Sequence, residues 1–86
     1  MPWQNCRVKT ASIDRNDIVY IRLINLPELG GDVTIHFERN FLAESAQRKE
    51  MLAIALTAIT TGLHVNVLLE STTERATIHA ISVVRA

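Results

Sequence analysis

One cysteine, two prolines and three glycines in 86 residues leave little that could crosslink or interrupt this chain. Cys6 has no partner cysteine, so an internal disulfide is excluded. Long hydrophobic runs are missing too. The longest strictly apolar stretch is Met51 to Leu56, far short of the ~18–20 residues a membrane-spanning helix needs, so no membrane span is expected. Charge of one sign is also lacking: nine basic residues balance nine acidic ones. Nucleic acid is therefore an unlikely obligate partner, because Lys and Arg contacts dominate phosphate binding. No apolar h-region follows Met1, so no signal peptide is read in the sequence. A cytoplasmic location is expected unless the chain is a mature secreted form.

What is present is ordinary globular composition, 48% hydrophobic and 21% charged. Disorder is excluded by that apolar content, and the length fits one domain over residues 1–86. So small a domain buries only about 60% of the surface its unfolded chain exposes, and it commonly needs a disulfide, a metal or a partner subunit. With the disulfide gone, oligomerisation is the favoured remedy.

Turn signals divide the chain into five short strands and one helix. Residues 5–13 alternate loosely, and Asp14-Arg15-Asn16-Asp17 then supplies four turn-formers, which predicts a hairpin. Residues 18–26 are rich in β-branched and aromatic types. After the break at Pro27 to Asp32, the alternation of Val33, Ile35 and Phe37 predicts a third strand. A helix is predicted over residues 45–61, with Glu44 and Arg48 as an acid-first pair and Gly62 as its left-handed cap. Residues 64–70 place Val65, Val67 and Leu69 inward, Ser71 to Glu74 make a loop, and residues 75–84 close the chain. A change of phase between Ile78 and Ile81 predicts a bulge near Ala80. The order β-β-β-α-β-β gives an α+β, mainly β class: a five-stranded OB-like barrel with one helix. An open sheet under one helix is the alternative.

The helix carries more apolar surface than one neighbour can cover. Leu52, Ala55, Leu56 and Ile59 make a stripe suited to the barrel. Met51, Ile54 and Ala58 widen it to roughly 200°, against the ~100° that one contact requires. Met51, Ile54 and Ala58 are therefore expected at a homo-oligomer contact, in preference to a helix seated wholly within a monomer. The second strand adds to this, being apolar at Val19, Ile21 and Leu23 and also at Ile18, Tyr20 and Ile24.

Candidate chemistry is sparse. His36, His64 and His79 show no zinc-site spacing among themselves or with Cys6, so no metal and no cofactor is expected. Cys6 reads as a small buried hydrophobe. Asp14 and Asp17 sit where a turn explains them, and Gly30-Gly31 lacks the lysine of a phosphate loop. No constellation supports an enzyme. Few aromatics accompany Arg7, Lys9, Arg22 and Arg39, which are interleaved with acids, so no stacking groove for single strands is evident. Trp3 precedes the first strand and suits either a subunit boundary or a ligand platform.

Cys6 in the first strand, the apolar second strand, Met51 to Ala58 ahead of Gly62, Val65-Asn66-Val67, and Ile78 with Ile81 form one layout. It resembles short bacterial OB-type proteins, including the B subunits of toxins that seat one A chain on a B pentamer. That resemblance implies a ring of barrels whose helices line the ring and whose loops and rim bind glycans. Cys6 has no partner in the helix, which is a departure from the resemblance. The expected function is a non-enzymatic, oligomeric binding or assembly module recognising a glycan or a protein. A single-stranded nucleic-acid binder on the same barrel is the alternative.

Overall fold

A computed structural model describes residues 3–26 and 37–85. Strands β1 (Trp3–Ile13), β2 (Val19–Asn25) and β3 (Glu38–Ala43) come first, followed by a short 3₁₀ turn (Ser45–Gln47). Helix α1 (Arg48–Thr61), β4 (His64–Leu69) and β5 (Thr77–Val84) complete the chain. The strands close a barrel in the order β1-β2-β3-β5-β4, so the chain is the expected five-stranded OB-like barrel with its helix between the third and fourth strands. Among the described residues all pairings are antiparallel except that of β3 with β5, where Leu42 meets Thr77 and Ala43 meets Ile78.

Alternation fills the barrel. Cys6 and Val8 from β1, Val19, Ile21 and Leu23 from β2, and Phe41 from β3 all point inward. Val65, Val67 and Leu69 of β4 and Ile78 of β5 meet them. The aspartate-rich turn is a local backbone device. Asp14 Oδ1 accepts from the amides of Asn16 (2.8 Å) and Ile18 (3.1 Å), and Asp17 takes φ 61°. The predicted bulge is also present: Leu68 pairs with Ala80 but Leu69 with Ile78, leaving His79 as the extra residue of β5.

Three expectations change. The third strand, read over residues 33–38, is seen over Glu38–Ala43 and so runs further than expected; residues 33–36 lie outside the described residues. Glu38-Arg39-Asn40 has weak strand propensity, and the tertiary ladder to β2 overrides it. Trp3 is part of β1 rather than ahead of it, paired with Leu68 and half-exposed.

The third change concerns the helix, which is rolled about its axis. Met51, Ala55 and Ala58, spaced i, i+4, i+7, are buried in this chain's own core. Met51 and Ala58 are thus placed inside the barrel rather than at an outer contact, and Ile54 is half-buried. Leu56 and Ile59, expected against the barrel, are exposed at 47% and 41%. Gly62 ends the helix at φ 74°, its amide donating to the Ala58 carbonyl at 2.9 Å.

One inward position of β1 is polar. Gln4 is 2% exposed, and its Oε1 has no hydrogen-bond partner among the described residues. An unsatisfied buried acceptor costs about 1–3 kcal/mol, and an apolar side chain of similar shape avoids that cost. Gln4→Met should therefore raise stability by about 1 kcal/mol, read as a higher urea midpoint at unchanged slope. A lower midpoint would mean that the amide has a partner in solution.

Candidate functional site

Among the described residues, a cleft of about 530 Å3 opens at one end of the barrel. Asn16, Asp17, Ile18 and Val19 of the β1–β2 turn form one wall. Leu42 and Ala43 at the end of β3, followed by Glu44, Ser45 and Arg48, form a second; Thr77 and His79 of β5 complete it. Its size is that of small-molecule sites, and its make-up is an apolar floor with a few converging polar groups.

The polar groups are cross-linked. Arg48 donates through Nη1 to the Ser45 carbonyl at 3.0 Å, and its Nη2 lies 3.8 Å from Asp17 Oδ2. Its Nε is buried and has no acceptor among the described residues. Glu44 and Arg48, expected as a helical pair, are not bonded to each other, because Glu44 precedes the 3₁₀ turn. Glu44 instead faces His79, with Oε2 at 3.4 Å from Nδ1. The other imidazole nitrogen, Nε2, contacts Glu70 Oε2.

The fold explains this triad. The bulge turns His79 outward while keeping Ile78 inside, and Glu70 directly follows β4 in the same hairpin. Continuing the parallel register of Leu42 with Thr77 and Ala43 with Ile78 carries Glu44 to His79. The sequence signalled the bulge, but nothing local pairs residue 44 with residue 79. Among the described residues, no group of three or more His, Cys, Asp or Glu is arranged to hold a metal ion. Both imidazole nitrogens already face carboxylates.

The hydrogen bond to Glu70 raises the His79 pKa above the ordinary histidine value; desolvation, next in size, opposes it, and Glu44 adds a smaller upward push. A raised folded-state pKa stabilises the fold fully below the unfolded value and ceases to do so as pH rises through the folded one. His79→Asn should therefore lower the melting temperature most below about pH 6.5. The gap from wild type should close as pH rises. A gap that widened on the alkaline side would mean that the neutral ring is the bonded form.

The other sequence candidates are dispersed. Cys6 is fully buried, and burial pushes its thiol up to about 12, which leaves no thiolate for nucleophilic chemistry at neutral pH. On the outer surface of β1–β2–β3, Glu38 binds Lys9 at 3.1 Å and Arg22 at 3.0 Å. Those two cations, Arg22 before Lys9, hold the Glu38 carboxyl below its ordinary value. Arg39 donates to the Thr72 carbonyl and lies 5.9 Å from the centre of the Phe37 ring. His64 lies half-buried on β4.

The other exposed feature is apolar. Leu56 and Ile59 stand on the outer flank of α1 beside the half-buried Leu52, and Trp3, Ile13 and Ile18 are exposed elsewhere. No helix among the described residues is long and apolar enough to cross a membrane. Compared with protein-family models, curated proteins and solved structures, the chain matches none.

Proposed function

We propose that this chain is a non-enzymatic, self-assembling binding module of OB type, with a second copy of itself seated on the outer flank of α1. One observation carries the reading: Leu56 and Ile59 are 47% and 41% exposed on a helix whose other side already closes the barrel. Zero net charge removes the repulsion that would keep copies apart. Closed rotational symmetry is the default arrangement, since an open head-to-tail contact would grow fibres. The resemblance to toxin B subunits extends the reading to recognition of a glycan or a protein, and the cleft beside the β1–β2 turn offers a place for it. Native mass spectrometry of the intact chain, run beside a glycan array, tests both parts. A discrete oligomer is expected, and a monomer at high micromolar concentration would overturn the assembly.

The second reading is a single-stranded nucleic-acid binder. Arg7, Lys9, Arg22 and Tyr20 on β1 and β2 favour it, but Lys9 and Arg22 are already paired with the Glu38 carboxylate. Affinity for a generic single-stranded oligonucleotide should therefore be weak at physiological salt. Sub-micromolar binding that fell steeply with added salt would promote this reading over the first.

A further inference from the structure

His79 stands where three parts of the fold meet, and its chemistry limits how many of them it can hold. Its Nδ1 faces Glu44 from the β3–α1 link at 3.4 Å, and its Nε2 faces Glu70 from the end of β4. An imidazolium has two N–H donors, whereas a neutral imidazole has one N–H and one lone pair. Both carboxylates can be bonded only while the ring is charged. We propose that His79 is a proton-operated latch joining the β4–β5 hairpin to the β3–α1 link, and that losing the proton releases Glu44.

Glu44 is the partner released because its 3.4 Å contact is longer than an ordinary hydrogen bond. The remaining N–H stays on Nε2, bonded to Glu70, and the Nδ1 lone pair then repels the Glu44 carboxylate. Released Glu44 has a second partner in the same cleft. Arg48 lines that wall, and its Nε has no acceptor among the described residues. Asp17, across the cleft from the β1–β2 turn, is the other charged group there, and at 3.8 Å it engages only Arg48 Nη2. Glu44 thus has two arrangements, one on His79 and one toward Arg48, and the proton on His79 selects between them. The cleft wall formed by Glu44, Ser45 and Arg48 changes with it.

The test is a proton titration of the uniformly 15N-labelled full chain between about pH 5 and 8, reading the His79 ring nitrogens and the backbone amides of residues 44–48. The amides are expected to shift with the same midpoint as the ring, above about 6.5, and the neutral ring to carry its proton on Nε2. In Glu44→Gln the ring midpoint should fall, and the matching shift at residues 45–48 should disappear. Amides that stay still while the ring titrates would overturn the latch, as would a neutral ring protonated on Nδ1. An undiminished response in Glu44→Gln would overturn it equally. Should that variant fail to fold, the wild-type titration decides alone.

Discussion

Phe41→Ala should remove about 3–5 kcal/mol of folding stability, most of what a domain of this size has at its disposal. Phe41 is fully buried on β3, opposite Ile21 of β2. Its ring meets Phe37 edge to face, with centroids 5.5 Å apart and planes at 69°, a geometry that adds about 0.5–1.5 kcal/mol beyond burial. A closed barrel cannot collapse onto the missing ring without breaking strand pairs, so the cavity persists. Loss of Phe41 also removes a contact from Phe37, which in turn supports the Arg39 guanidinium. Phe41→Leu, which removes less volume, should cost less, about 1–3 kcal/mol. Urea unfolding followed by circular dichroism reads both. A loss below about 1 kcal/mol for the alanine variant would show that the ring does not occupy the centre of the core.

The architecture was legible where alternation was strong. Val65, Val67 and Leu69 give β4 its inward face, Val19, Ile21 and Leu23 give that of β2, and the phase shift from Ile78 to Ile81 locates the bulge. Most of Glu38–Ala43 lies beyond the alternation read in the sequence because residues 38–40 are charged or polar; the ladder to β2 keeps them in the sheet. The roll of the helix was illegible for a different reason. With apolar residues around roughly 200° of its surface, hydrophobicity alone could not choose a face, and Met51 turned inward with the alanines. The two alanines at 55 and 58 went inward and the larger Leu56 and Ile59 stayed out. The His79 triad depends on a parallel β3–β5 register joining residues 35 apart. No local pattern encodes such a register.

That roll separates two substitutions only five positions apart. Met51→Asp should unfold the chain, because Met51 is 2% exposed and a carboxylate there has no partner; the cost is on the order of 4–5 kcal/mol. Leu56→Asp should leave the fold intact, since Leu56 is half in solvent and surface changes of this kind stay within about 0.5 kcal/mol. Its effect should fall on assembly instead. Burying a large apolar side chain contributes about 1.5–3 kcal/mol, and a symmetric contact repeats each substitution in both partners. Weakening by a hundredfold or more is the expected result.

Sedimentation equilibrium of the wild type beside Leu56→Asp tests the central claim most directly. The wild type should sediment as a discrete oligomer and the variant as a folded monomer with wild-type circular dichroism. A wild type that stays monomeric at high micromolar concentration, or a Leu56→Asp variant that assembles as the wild type does, would contradict it.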